Sequence, residues 1–121
     1  MAQYKHLPIY KLTYDLLNEI TKQTKNYPKD FKYSLGVKLR DEAVELVVLI
    51  YKANSSKSTR SEFVRSILER LQVIELLLRL SKDMRLLSVS AFSAMVVLTD
   101  DLNRQASGWL KSTSSRKAES E

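Results

Sequence analysis

Glycine and proline are scarce in this chain, and their scarcity limits the folds that it can adopt. Of 121 residues, only Pro8, Pro28, Gly36 and Gly108 belong to these two types. Tight turns rely on glycine and proline, so a fold with many strands is disfavoured. With 44% apolar residues, the chain is long enough for one hydrophobic core and too short for two. The sequence therefore predicts a single all-α domain.

Apolar residues recur at helical spacing in four segments. The first begins at Pro8, because proline suits the first turn of a helix, where its missing amide leaves no partner unpaired. The second runs from about residue 31 to residue 53. Thr59 and Glu62 form a candidate capping box for the third, and the fourth begins near Ser88. The sequence thus predicts four helices.

The spacers between these helices are only a few residues long, so that consecutive helices should be antiparallel. We expect an up-down-up-down four-helix bundle over residues 1–110. The remaining segment, residues 111–121, reads KSTSSRKAESE and has too few apolar side chains to repay the entropy of ordering it. We expect this tail to be disordered.

The second helix is more apolar than a bundle requires. Within residues 43–51 only Glu45 is polar, whereas a bundle helix buries a stripe about 3/7 of its surface wide. The third and fourth helices carry the same kind of surplus at Val73, Leu76, Leu77, Leu80, Val97 and Leu98. Scattered exposed apolar residues are normal, but a contiguous patch is seldom left uncovered. We therefore expect the chain to form a homo-oligomer.

Side chains that could carry catalysis or bind a metal are few. The chain has no cysteine, and its one histidine, His6, precedes every predicted helix. The neighbouring acids Asp41 and Glu42 point about 100° apart on a helix, as do Asp100 and Asp101, so neither pair forms a carboxylate dyad. No glycine-rich phosphate loop is present. We expect a protein that is not an enzyme and that uses no metal or cofactor.

A membrane location is also disfavoured by the sequence. The longest uncharged run, residues 86–99, is 14 residues long, and a helix needs about 20 to span a bilayer. The N-terminal sequence MAQYKHLPIYK has no apolar signal core. We expect a cytoplasmic protein.

The chain is basic, with 20 Lys and Arg, 14 Asp and Glu, a net charge of +6 and an isoelectric point near 9.6. A basic balance favours polyanions as partners. Many of the charges can be explained as surface ion pairs at helical spacing. These pairs are Lys11 with Asp15, Glu19 with Lys22, Lys38 with Glu42, Arg65 with Glu69, Glu75 with Arg79, and Asp100 with Arg104.

Five basic residues are left without such an explanation. Lys25, Lys29 and Lys32 surround the first predicted turn, and Lys82 and Arg85 flank the third. Up-down-up-down topology brings these two turns to the same end of the bundle. The residues then form either one basic patch or independent, solvated loop side chains.

Four segments of the chain together resemble a known family. They are LPIYK at residues 7–11, NYPKDFKYSLGVKLRDEAVELVVLIYKANSS at 26–56, LLLRLSKDMRLLS at 76–88, and GWLK at 108–111. Their order and spacing resemble Avd, the accessory variability determinant proteins of diversity-generating retroelements. They are similar, more distantly, to four-helix-bundle proteins encoded by ribosomal-RNA intervening sequences. No single segment is a catalytic signature.

The resemblance to Avd implies a cytoplasmic, non-enzymatic, basic four-helix bundle that assembles as a pentameric barrel. It also implies binding to the element's reverse transcriptase and to nucleic acid, RNA and DNA, in support of mutagenic copying of a template repeat. Nothing in the sequence indicates base reading, so we expect weak sequence selectivity. Neighbouring subunits of a ring would cover the surplus apolar surface of the second helix.

The candidate contacts to enzyme or nucleic acid combine both arguments. The matching segments contribute basic residues, among which Lys38 and Arg79 keep an ion pair as their alternative explanation. With the basic residues at the two turns, the predicted site is Lys25, Lys29, Lys32, Lys38, Arg40, Arg79, Lys82 and Arg85. The alternative function is a general RNA-binding or RNA-processing bundle without a reverse-transcriptase partner.

Overall fold

A computed structural model describes the backbone of residues 7–120 and the side chains of residues 7–113. The helices are α1 (Pro8–Thr24), the short α2 (Lys29–Phe31), α3 (Val37–Ser55), α4 (Arg60–Asp83) and α5 (Val89–Ser120). A π-helical turn, Lys32–Gly36, joins α2 to α3. No strand occurs in the described backbone. Helices α1, α3, α4 and α5 are the four predicted ones.

The four long helices form a ring in which each packs against two others. Helix α3 lies between α1 and α4, and α5 lies between α4 and α1. Successive helices are joined by short turns and run antiparallel, as the sequence predicts. Assembly of this bundle into an oligomeric barrel stays a prediction.

The core consists of the apolar stripes that the helical periodicity indicates. On α1, Ile9, Leu16 and Ile20 are buried. The stripes of the other long helices fill the rest of the interior. They contribute Leu39, Leu46 and Ile50 from α3, Val64, Ile67, Leu71, Ile74 and Leu78 from α4, and Met95, Leu102 and Ala106 from α5.

The start of the second long helix differs from the prediction. Helical turns begin at Lys29, and a π-helical turn that the sequence does not reveal precedes α3. Gly36 closes this turn against the end of α1, where a Cβ atom would come within 3.3 Å of the Thr24 Cβ. Glycine thus permits close packing of the two helices at this end of the bundle.

The predicted capping box of α4 is wrong. Thr59 is the N-cap residue, but its φ of −109° and ψ of 10° lie outside the extended region that an N-cap adopts, and its side chain makes no capping hydrogen bond. Its hydroxyl oxygen lies 2.6 Å from that of Ser56 instead. Ser88 does cap α5, since its Oγ accepts a hydrogen bond of 3.0 Å from the Ala91 amide.

Helix α5 extends to Ser120, so the backbone of residues 111–120 is helical where the sequence predicts a disordered tail. A helix that is already formed gains about one hydrogen bond for each residue added, and this segment contains several good helix formers.

Candidate protein and nucleic-acid interface

Two turns meet at one end of the bundle. The ring of Tyr27, after α1, is 4% exposed, and its hydroxyl lies beside the buried Ser81 hydroxyl near the end of α4. Neither hydroxyl has a hydrogen-bond partner of good geometry. Burial raises the pKa of the Tyr27 phenol, and the neighbouring Ser81 hydroxyl offsets part of that rise. The contact fixes the turn after α1 against the turn after α4.

This contact brings the five basic residues of the two turns to the same end of the molecule. We call them the basic end: Lys25, Lys29, Lys32, Lys82 and Arg85. Lys25, Lys29 and Arg85 are exposed, whereas Lys32 and Lys82 are half-buried. The expected grouping of the two turns is therefore present. Whether these residues bind a partner stays a prediction.

Lys82 is the most constrained member of the basic end. Its Nζ lies 4.8 Å from the centroid of the Phe92 ring and 3.5 Å from Oδ1 of Asp83. The side chain therefore packs along the start of α5 and keeps its charge near the surface. Among residues 7–113, the side chains of Lys25, Lys29 and Arg85 make no ion pair.

Arg85 has the only positive φ among the described residues that are not glycine, at 61°. It directly follows Met84, which is the C-cap residue of α4. The Leu86 amide donates a hydrogen bond of 2.8 Å to the Ser81 carbonyl, and the Arg85 amide donates one of 2.9 Å to the Lys82 carbonyl. These two bonds form a Schellman motif, in which glycine is the usual residue at the position of Arg85.

The other three predicted site residues lie on α3 and α4, outside the two turns. Lys38 forms an ion pair of 3.1 Å with Glu42, which confirms its alternative explanation. Arg40 is half-buried, and its Nε is buried without a hydrogen-bond partner among the described residues. Arg79 is exposed, and it makes no ion pair with Glu75 among the described residues. Glu75 instead accepts a hydrogen bond of 2.8 Å from Asn103.

The fold also uses an ion pair that helical spacing cannot reveal. Arg70 of α4 reaches across to α3, where its Nη1 lies 3.1 Å from both carboxylate oxygens of Glu42. Glu42 is only 5% exposed. Partners 28 residues apart lie outside any pairing rule within a single helix. Arg104, which helical spacing pairs with Asp100, forms its ion pair with Asp101 instead.

Some of the surplus apolar residues are exposed on the bundle surface, whereas Val73 is half-buried and Leu77 and Leu98 pack against the core. On α3, Val44, Val48 and Tyr51 are 47%, 37% and 46% exposed and lie at helical spacing along one outer stripe. On α4, Leu76 and Leu80 are 65% and 44% exposed. Both helices already bury another apolar face in the core. Rotating either helix could therefore not bury both of its apolar faces within one chain.

Neither a candidate metal site nor a membrane-spanning helix is found in the described part of the chain. No cluster of His, Cys, Asp or Glu in it could hold a metal ion. None of its helices is long and apolar enough to cross a membrane. His6 lies outside the described residues.

A family model described as bAvd-like matches residues 7–113. The chain belongs to the bAvd-like family. The matched region begins at the entry to α1 and includes α1, α3, α4, most of α5 and both turns of the basic end. No curated protein sequence matches the chain. The resemblance seen in the sequence is thus confirmed, and membership in the bAvd-like family indicates an accessory role in retroelements.

Proposed function

We propose that this bAvd-like protein is a non-enzymatic accessory subunit that binds a retroelement reverse transcriptase and nucleic acid. The proposal rests on the basic end, in a chain that belongs to this family. There, Lys25, Lys29 and Arg85 hold their charges in solvent without an ion pair in the described residues. Cations that the fold does not neutralise are available to a polyanion.

Nucleic acid is bound through its phosphates in this proposal. Each neutralised phosphate releases condensed counterions, so affinity falls steeply with salt and depends little on sequence. Three of the described aromatic residues support this weak selectivity, whereas Tyr14, Tyr33 and Tyr51 are exposed. Phe63, Phe92 and Trp109 are half-buried and pack against the core, where they cannot serve as an open stacking platform.

The bAvd-like protein works as a homo-oligomer, most simply a pentamer, in which neighbours cover the outer apolar stripes. Half-exposed Val44, Val48 and Tyr51 on a single stripe support association. Native mass spectrometry tests the state of the purified chain. We expect five copies, and a monomer at micromolar concentration would refute this part of the proposal.

A matched pair of variants connects the oligomer to the α3 stripe. Val44→Ser with Val48→Ser should shift the population toward smaller species while the helical circular dichroism signal is retained. Glu45→Ser, an exposed substitution on the same helix, should leave the oligomer intact. If the two variants have the same mass distribution, the interface lies elsewhere.

Co-purification tests the protein partner. The tagged chain is expressed with a reverse transcriptase from a retroelement that encodes it, and we expect a complex that survives gel filtration. A folded oligomer that leaves the enzyme unbound while still binding RNA would favour the alternative, a general RNA-binding bundle. The basic end supports either function, and family membership favours the first.

A further inference from the structure

We propose that the Arg85 guanidinium directly contacts a backbone phosphate of the bound nucleic acid, and that this contact explains an arginine at a position suited to glycine. The inference rests on the proposed function and identifies one contact within it. It starts from the backbone: Arg85 has a φ of 61°, and the other described residues with side chains have negative φ. A Cβ atom is unfavourable in this left-handed region, and glycine avoids the cost.

The fold gains nothing visible from the Arg85 side chain. Both hydrogen bonds that end α4 here come from backbone amides, those of Arg85 and Leu86, and any residue except proline can supply them. The side chain is exposed and pairs with no described acid. The nearest acid in sequence, Asp83, is 3.5 Å from the Lys82 amine. An unfavourable backbone with no compensating side-chain contact points to a role outside the fold.

The surroundings favour a phosphate over a protein carboxylate as the ligand. Lys82 lies beside Arg85 in the same turn, and the facing turn presents Lys25, Lys29 and Lys32. Cations on two neighbouring turns can contact several phosphates of one nucleic-acid backbone. Arginine adds a planar fork of donors that binds two oxygens of one phosphate, which a lysine cannot do.

Three substitutions at one position separate binding from folding. Arg85→Gly removes the charge and relieves the backbone, Arg85→Ala removes the charge alone, and Arg85→Lys keeps the charge but loses the fork. Lys57→Gly is the control, because Lys57 is an exposed turn residue at the opposite end and loses the same charge. Affinity is measured by fluorescence anisotropy with two unrelated single-stranded RNA oligonucleotides, and the midpoint of thermal unfolding by circular dichroism.

We expect Arg85→Gly to bind both RNAs about tenfold more weakly, because a charge-assisted contact is lost. Its midpoint of thermal unfolding should be unchanged or raised by about 2–4 °C, because glycine relieves the backbone. Arg85→Ala should lose as much affinity without the rise. Arg85→Lys should lie between wild type and Arg85→Gly, and Lys57→Gly should bind within about twofold of wild type.

Each other result overturns the assignment. A lower midpoint for Arg85→Gly would show that the side chain supports the fold. Unchanged RNA affinity in a wild type that binds RNA would remove this contact and leave the proposed function standing. Retained RNA affinity with lost reverse-transcriptase co-purification would assign the guanidinium to the protein partner. A wild type that binds no RNA would overturn both this contact and the nucleic-acid part of the proposed function.

Discussion

One arginine begins α4 and another follows its end, and the two arginines are used in opposite ways. At the start of α4, Arg60 Nε donates a hydrogen bond of 2.7 Å to the Ala53 carbonyl, and its Nη2 donates one of 3.1 Å to the Asn54 carbonyl. Its guanidinium carbon also lies 5.9 Å from the Trp109 ring centroid. In the α4–α5 turn, Arg85 makes none of these contacts, and backbone amides alone close the helix.

The difference shows how the role of a surface cation can be read from its partners. The Arg60 donors satisfy carbonyls that the end of α3 leaves unpaired, so its charge belongs to the fold. Arg85 occupies a left-handed backbone conformation, and its exposed side chain pairs with no described acid, so we propose that its charge serves a partner. Exposed basic residues without a described ion pair occur at both ends of the bundle, and Arg85 alone among them combines such a charge with a left-handed backbone.

The largest effect on stability is expected at the third arginine of α4, which tests whether paired arginines serve the fold. Arg70→Met leaves the carboxylate of Glu42, 5% exposed, with Lys38 as its remaining partner. Breaking a buried pair typically costs about 3–5 kcal/mol, and the Lys38 contact reduces the cost to about 2–3 kcal/mol. Urea unfolding measures it.

The double variant Glu42→Leu with Arg70→Leu is the control for this prediction. It should recover much of the loss, because no charge is then buried without a partner. If Arg70→Met unfolds at the urea concentration of the wild type, the pair contributes nothing to the fold.

Arg60→Ala should destabilise the protein by about 1.5–3 kcal/mol, because two hydrogen bonds from a charged donor are lost. Trp109 is the single tryptophan, so its fluorescence reports the loss of the guanidinium directly. RNA affinity should stay within about twofold of wild type under conditions where the variant is folded. A variant that keeps its stability and loses RNA binding would reverse the comparison of the two arginines.

The two hydroxyl residues before α4 and α5 should differ by a smaller amount. Ser88→Ala removes a side-chain cap and should cost about 1 kcal/mol. Thr59→Ala removes no capping bond and should cost less than about 0.5 kcal/mol. Urea unfolding of both variants is the measurement. Equal losses would mean that Thr59 caps α4 in solution.

The smallest effect at neutral pH is expected at Tyr27, which ties the two turns of the basic end together. Burial raises its pKa above the ordinary value of 10.0, so its stabilising contribution is full below pH 10 and is lost as the pH rises through the folded-state pKa. Tyr27→Phe should be near wild type at pH 7 and should resist alkaline unfolding better. The exposed Tyr33→Phe is the control and should unfold with the wild type at high pH.

The sequence predicted the helices well because helical periodicity and a shortage of turn residues act locally. Pro8 opens α1 as expected, and the buried stripe of Ile67, Leu71, Ile74 and Leu78 follows from spacing alone. The surplus at Val44, Val48 and Leu76 was also visible, since more apolar residues were present than one face can bury. What covers this surface stays a prediction.

Features that depend on how the helices pack could not be predicted from the sequence. Glu42 looked like half of an ordinary surface pair, and its burial with Arg70 depends on how α3 and α4 meet. The eight predicted site residues could not be ranked, because the sequence shows charge and not partners. The left-handed backbone of Arg85 had no signal either, since glycine is the residue that marks such a position and it is absent there.

A comparison of the two ends tests the central claim, that the free cations of the basic end bind nucleic acid. Lys25→Ala with Lys29→Ala removes two exposed charges from the basic end, and Lys11→Ala with Lys57→Ala removes two from the opposite end. RNA affinity of each variant and of the wild type is measured from low to high salt. We predict that the basic-end variant alone has a flatter plot of log affinity against log salt, by about 0.7 for each lost contact with single-stranded RNA. Equal slopes for the two variants would contradict the claim.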